Sequence, residues 1–263
     1  MSGQPRVALV TGAARGIGAA TVLALAADGW SVLATDRCCD DPRLPYALGT
    51  EAELRAVAAA AGPNVLPYVA DTTDPQALLR AVALAEQEFG GLDAALAIAG
   101  VVAGGVPLWE QPIEQVDAVL EIDLRGVLLL ARAAVPALLR RPAPRSGRFI
   151  AVASTAAVRG LPMLAAYCAA KAGVTGLVRA LAVELRGTGV TANAVSPGST
   201  DTPILAESAR LYGLASAAEF AQQQPLERLI APAEIAAALV WLAGEQSSGV
   251  TGAVFPVDGG LAL

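Results

Sequence analysis

The chain has 263 residues, of which 55% are hydrophobic, and a formal net charge of −6. That length suits one large α/β domain with a sizeable core, and the acidic balance speaks against nucleic acid or an anionic membrane as the main partner. Histidine is absent, which removes imidazole triads and imidazole metal sites, and the three cysteines (Cys38, Cys39, Cys168) lack metal-ligand spacing.

Mean hydropathy is +0.54, which raises the question of a membrane. The longest uncharged run, Ala94 to Trp109, is broken by glycines and a proline and falls short of the about 20 residues a span requires. Nothing at the start reads as a leader, and an odd cysteine count suits a reducing compartment. The expectation is a cytoplasmic protein with no metal, nucleic-acid or membrane partner.

In chain order, the apolar run Arg6 to Val10 leads into Thr11-Gly-Ala-Ala-Arg-Gly-Ile-Gly18, then a helical pattern from Ile17 to Ala27. Strand, glycine turn, helix is the context in which backbone approaches a pyrophosphate at a helix N-terminus. Gly12, Arg15, Gly16, Ile17 and Gly18 are therefore candidate nucleotide contacts, although a lone glycine motif also fits a simple turn. The next strand, Trp30 to Thr35, delivers Asp36 to its carboxyl end. A carboxylate there accepts hydrogen bonds from the adenosine ribose and repels a 2′-phosphate, which favours NAD over NADP. Arg15 and Arg37 are nearby cations that argue the other way, and a turn-forming aspartate is the plain alternative.

Asp40 to Gly49 is loop-like and longer than a tight strand–helix link needs. Helix follows over Glu51 to Ala61, strand over Val65 to Ala70, and Asp71-Thr72 at its end would sit near adenine. Asp74 is a plausible N-cap for a helix over Pro75 to Phe89. Leu92 to Ile98 is nearly continuous in apolar residues, as a strand covered on both faces is, and it ends at Ala99-Gly100. Ile113 to Arg140 reads as one long helix, and Arg141 to Gly147 as a polar loop. A fifth strand precedes the helix around Tyr167, a sixth spans Val190 to Val195, and weak patterning runs to about Pro225. A helix over Pro232 to Leu242 and a strand over Ala253 to Val257 close the chain. Alternating strands and helices give a parallel sheet with helices on both faces.

Tyr167 and Lys171 lie one helical turn apart on a shared face. An ammonium there favours the phenolate of a side chain whose ordinary pKa is about 10, and Ser154, after the apolar run Phe149 to Ala153, can hold a substrate oxygen. Tyrosine and lysine at this spacing also occur by chance, and the order of the whole chain decides the reading.

These pieces together resemble the short-chain dehydrogenase/reductase family over nearly the full length: the Thr11–Gly18 turn, Asp36, Asp71, Ala99-Gly100, Ser154, Tyr167-(x)3-Lys171, Pro197-Gly198 and the Asp258-Gly259-Gly260 ending. The resemblance implies a Rossmann-type doubly wound seven-stranded parallel sheet in a single domain over 1–263, assembled as a homotetramer. It implies Tyr167 as general acid/base, Ser154 positioning the substrate oxygen and Lys171 lowering the tyrosine pKa and holding the nicotinamide ribose. Thr200 and Thr202, after Pro197-Gly198, would hold the carboxamide. Two positions depart from the family pattern: Ala97-Ile98-Ala99-Gly100 replaces Asn-Asn-Ala-Gly, and Asp123 replaces the fourth catalytic member, an asparagine. The segment after Asp36 further resembles members associated with mycofactocin, in which NAD stays bound and an external redox carrier recycles it.

The first expectation is an NAD-dependent oxidoreductase interconverting a hydrophobic secondary alcohol and its ketone. An NAD-binding sensor or scaffold impaired by Asp123, or an isomerase or dehydratase, are the alternatives. Val101, Val102, Leu161, Pro162, Leu164, Ile204, Leu205 and Tyr212 are candidate pocket residues, mostly apolar, and several also fit a plain core.

Overall fold

The structure, a computed structural model, describes residues 5–263. The first strand, β1 (Val7–Thr11), is buried along its whole length and alternates its side chains between two layers of helix. The chain continues through α1 (Gly16–Ala27), β2 (Ser31–Asp36), α2 (Glu51–Ala61), β3 (Val65–Val69), α3 (Pro75–Phe89) and β4 (Ala94–Ala97). It then forms α4 (Ile113–Leu120), α5 (Gly126–Arg140), β5 (Arg148–Val152), α6 (Ala165–Glu184), β6 (Thr191–Pro197), α7 (Pro203–Leu211), α8 (Pro232–Ala243) and β7 (Val254–Val257). All pairings are parallel, in the order β3-β2-β1-β4-β5-β6-β7. This is the expected seven-stranded doubly wound sheet.

Val7 and Leu9 face a core built with α3, α5 and α6; Ala8 and Val10 face one built with α1, α2 and α8. A third, smaller apolar cluster joins Leu44 to Val101, Val119, Ile122 and Ala170, with Tyr46, Leu48 and Tyr167 packed against it. By length and composition α6 would meet the requirements of a membrane span; here it packs along β6 and carries Tyr167 and Lys171.

Helix starts follow local chemistry. Thr50 and Glu53 form a capping box on α2, and Asp74 accepts from the Gln76 N–H ahead of Pro75 on α3.

Two stretches differ from the sequence expectation. The helical run from Ile113 to Arg140 is interrupted by a π-helical turn over Glu121–Arg125, between α4 and α5. Periodicity cannot show this, because one extra residue barely disturbs the apolar spacing. The weakly patterned region before Pro225 contains α7 and a 3-10 turn over Ala217–Gln223. The alanine and glutamine content there leaves little apolar period to read.

At the amino ends of the strands, Asp93 accepts from the Val7 N–H (2.9 Å) and from Arg141 Nε (2.8 Å), at 7% exposure. Asp93→Ala leaves a buried strand N–H unpaired and is expected to cost about 2–3 kcal/mol in urea unfolding. Arg55→Ala, which breaks an exposed pair with Glu51 on α2, is expected to cost less than about 0.5 kcal/mol. Equal effects of the two substitutions would contradict this ranking.

Candidate active site

The strand order reverses between β1 and β4, whose successors run to opposite sides, and a crevice opens at their carboxyl ends. Gly12 has φ +68°, and a Cβ on it would lie 2.7 Å from the Ala99 Cα. A Cβ on Gly18 would run into the Gly12 carbonyl oxygen. Both glycines therefore permit a backbone approach no larger residue allows. α1 starts without a side-chain cap and without an acid in its first turn, so its leading N–H groups are free to meet an anion.

One cavity of about 630 Å³ fills the crevice, within the range of cofactor sites. Gly12, Arg15, Gly16, Ile17, Gly18, Asp36, Arg37, Asp71, Thr72, Ala99, Gly100, Asp123, Ser154, Tyr167, Lys171, Pro197, Gly198, Thr200 and Thr202 all line it. The two halves of the sequence reading thus meet in a single space.

At the end of the cavity beside β2, Asp36 accepts from the Ala14 N–H (3.1 Å) and the Cys38 N–H (3.2 Å). Arg37 is spent on carboxylates: it lies 2.8 Å from Asp41 and 3.3 Å from Asp71. Arg15 donates to the Ala47 carbonyl (2.8 Å). The loop that supplies Ala47 is anchored rather than loose. Asp41, 2% exposed, accepts from the Arg43 backbone and guanidinium and from Arg37, and these bonds hold its carboxyl well below the usual range. Arg43 continues to Glu121 (2.8 Å), and the Val102 N–H donates to the Tyr46 hydroxyl (2.9 Å). Tyr46, Leu48 and Gly49 form part of the cavity wall beside Asp36.

At Ala97-Ile98-Ala99-Gly100 the end of β4 is held through its backbone. The Thr11 hydroxyl accepts from the N–H groups of Ile98 (3.1 Å) and Ala99 (3.2 Å), holding the end of β4 against β1.

On the opposite wall, Ser154 caps the 3-10 turn Thr155–Ala157, accepting from the Ala156 N–H (3.1 Å). Lys171 Nζ sits 5.5 Å from the centre of the Tyr167 ring and donates to the Val152 carbonyl (3.2 Å). Asp123 is fully buried in the π-helical turn: one carboxylate oxygen accepts from the Val101 N–H (2.8 Å), the other lies 3.1 Å from Lys171 Nζ. A Cβ on Gly100 would stand 3.3 Å from both members of that pair, so glycine leaves room for it. Asp123 is therefore not turned towards Arg125, which donates to the Thr73 carbonyl instead.

Burial pushes the Tyr167 phenol up; Lys171 and Ser154 pull it down, and Asp123 pushes it up again. Burial alone would depress Lys171, but Asp123 and Tyr167 hold it above its ordinary value. Burial also raises the Asp123 carboxyl, against the pull of Lys171 and the Val101 N–H. The Val101 N–H aimed at the carboxylate favours its ionised form, and the carboxylate in turn favours the ammonium of Lys171.

Thr200 donates to the Gly198 carbonyl (3.1 Å), and Thr202 caps α7. Of the expected pocket residues, Val101, Leu161, Pro162, Leu164, Ile204, Leu205 and Tyr212 line the cavity, whereas Val102 is 1% exposed and belongs to the core. Its position just past the strand end, with its N–H held by Tyr46, turns it away.

Sequence reasoning missed Tyr46, Phe220, Gln223 and Leu261 on the wall, and Gln224 behind it. Gln224 accepts from the Ser199 N–H (2.8 Å) and donates to the Arg228 carbonyl (2.6 Å), fixing the loop from Pro197 to Thr200. No local motif marks such a residue, because its partners are backbone groups.

Comparison with known proteins agrees with this geometry. A family model described as enoyl-(acyl carrier protein) reductase matches residues 12–262. Cis-4-hydroxycyclohexanecarboxylate dehydrogenase of Sinomonas cyclohexanicum is 39% identical over 257 residues, covering 97% of this chain and 96% of the relative. Cyclohexanol dehydrogenase of Acinetobacter sp. (strain SE19) is 35% identical, covering 97% and 94%. Carveol dehydrogenase from Mycobacterium avium, solved in complex with NAD, superposes with a TM-score of 0.91 at 30% identity and 97% coverage of both chains. The chain belongs to the short-chain dehydrogenase/reductase family, as a nicotinamide-cofactor oxidoreductase acting on CH–OH groups.

Proposed function

We propose that the chain is an NAD-dependent dehydrogenase of a cyclic, mainly apolar secondary alcohol. The observation that carries the reading is the convergence of Ser154, Tyr167 and Lys171 on a cavity wall that continues as Leu161, Leu164, Ile204 and Leu205. Ser154 holds the carbinol oxygen, and Tyr167, as phenolate, takes the hydroxyl proton. Lys171 keeps that phenolate accessible through its charge and binds the nicotinamide ribose. NAD would be held by the Gly12–Gly18 turn, Asp36 and Lys171 and would supply the hydride acceptor for the carbinol carbon, while Tyr167 receives the hydroxyl proton as alcohol becomes ketone.

Asp36 selects the cofactor. Each of its oxygens accepts one backbone N–H and keeps acceptor capacity for a ribose hydroxyl. Arg37, which would welcome a 2′-phosphate, is paired with Asp41 and Asp71, and Arg15 donates to the Ala47 carbonyl. Thr200 and Thr202, which line the same cavity, would hold the carboxamide. The loop from Asp40 to Gly49 covers the adenosine half, which supports retention of NAD and recycling by an external carrier such as mycofactocin. Leu128 and Val183 stand exposed on α5 and α6, which supports a homotetramer assembled through those helices.

Three outcomes follow. The protein should prefer NAD clearly over NADP, and Asp36→Ala should weaken NAD binding by about tenfold or more while narrowing the preference. Equal affinity of the unaltered protein for both cofactors would remove this role of Asp36. NAD should copurify and exchange slowly, so that free NAD is a poor acceptor in steady state. Purification without nucleotide, with rapid exchange of added NAD, would argue against the cover. Asp123→Asn removes a negative charge that raises the Tyr167 pKa, so the phenolate should form at lower pH. The basic pH optimum of alcohol oxidation should move downwards, with fold and activity kept, each pKa unit corresponding to about 1.4 kcal/mol. Single-turnover pH profiles of both proteins test this, and an unchanged profile would detach Asp123 from the proton path.

A further inference from the structure

Four cationic side chains line the cavity: Arg15, Arg37, Arg159 and Lys171. Three have tasks. Lys171 pairs with Asp123, Arg37 with Asp41 and Asp71, and Arg15 is held by the cover at Ala47. Arg159 stands at the substrate end and has no ion pair among the described residues. Its side-chain bond runs from Nη1 to the Leu261 carbonyl, at 2.6 Å. That bond fixes the plane of the guanidinium and leaves its other N–H groups unspent.

The acids on the cavity wall are Asp36, Asp71 and Asp123, which face the cofactor end or Lys171. At the substrate end, Arg159 is thus a single charge among Leu161, Leu214, Phe220 and Leu261. A planar guanidinium beside apolar walls selects a planar anion, and a carboxylate matches its fork.

Distance fits one ring. Ser154 opens the 3-10 turn, and the Arg159 N–H donates to the Thr155 carbonyl at 2.9 Å. That bond closes a single helical turn, whose rise is about 5.4 Å, so the Ser154 and Arg159 backbones lie within on the order of 10 Å of each other. A six-membered ring with a hydroxyl at one end and a carboxylate at the other bridges that gap, the arginine side chain making up the remainder. Because Arg159 is exposed at the mouth, the carboxylate keeps part of its hydration and little desolvation opposes binding.

Resting on alcohol oxidation at this site, we propose that Arg159 determines specificity by receiving a carboxylate, so that the preferred substrate is an alicyclic secondary alcohol with a carboxylate across the ring from the carbinol.

The test uses NAD-loaded protein in single turnover with 4-hydroxycyclohexanecarboxylate and its uncharged methyl ester. The acid should be preferred, and Arg159→Gln should lower the acid-to-ester ratio of kcat/KM about tenfold, mainly through the concentration for half-saturation; Arg159→Lys should keep part of the preference. Cyclohexanecarboxylate, which has no carbinol, should bind the loaded protein, and bind Arg159→Gln about tenfold more weakly. A purely structural role through Leu261 would slow both substrates alike and leave the ratio fixed; that result, or an ester turned over as well as the acid, overturns the proposal while alcohol oxidation stands. Failure to oxidise acid, ester and cyclohexanol alike would instead overturn the oxidation reading beneath it.

Discussion

A parallel sheet brings the carboxyl ends of all its strands to one edge, and the reversal of strand order between β1 and β4 splits that edge open. Everything functional in this chain answers to that constraint. The turn after β1 can approach Ala99 only through Gly12, and α1 can begin directly beneath it only because Gly18 has no side chain. The Thr11 hydroxyl then ties the ends of β1 and β4 together. The crevice is held open by backbone geometry and closed at its base by one threonine.

Within it, the Asp123–Lys171 pair is the most demanding feature. Burying two ions costs several kcal/mol each unless geometry and hydrogen bonds repay it. Here the repayment is visible: the Val101 N–H on one carboxylate oxygen, the Val152 carbonyl on the ammonium, and the space left by Gly100. The π-helical turn belongs to the same arrangement, since its extra residue sets the direction in which Asp123 leaves the helix. The loop after β4, the turn between α4 and α5, and the face of α6 are therefore coupled through one ion pair.

Legibility in the sequence followed the physics of each part. The sheet, α2 and α3 were readable because apolar runs and caps are local, and Asp74 before Pro75 marks a helix start by itself. The residues that meet in the cavity were readable because glycines, Asp36 and the Tyr167–Lys171 spacing are dictated by chemistry at fixed offsets. The π-helical turn was not, since the apolar period runs through it unbroken. Val102 was misassigned for a related reason: adjacency to Val101 says nothing about which way a loop residue turns. Gln224 and Tyr46 escaped because each bonds to backbone far away in sequence, through side chains that carry no motif.

The same distinction separates the two halves of the cavity. The cofactor half is built from strand ends and a helix start, where a change of residue meets backbone and is resisted. The substrate half is built from α7, the 3-10 turn after it and the carboxyl-terminal residues, joined by bonds such as Tyr212 to the Pro162 carbonyl (2.7 Å) and Arg159 to the Leu261 carbonyl. Those bonds land on carbonyl groups, which every residue supplies, so the fold constrains the identity of the neighbouring side chains less here than at the strand ends. Phe220, packed edge-on against Tyr212, belongs to a wall that holds its shape through a few such anchors. The wall bearing Ser154, Tyr167 and Lys171 is set instead by β5 and α6, so the two sides of the cavity rest on different elements of the fold.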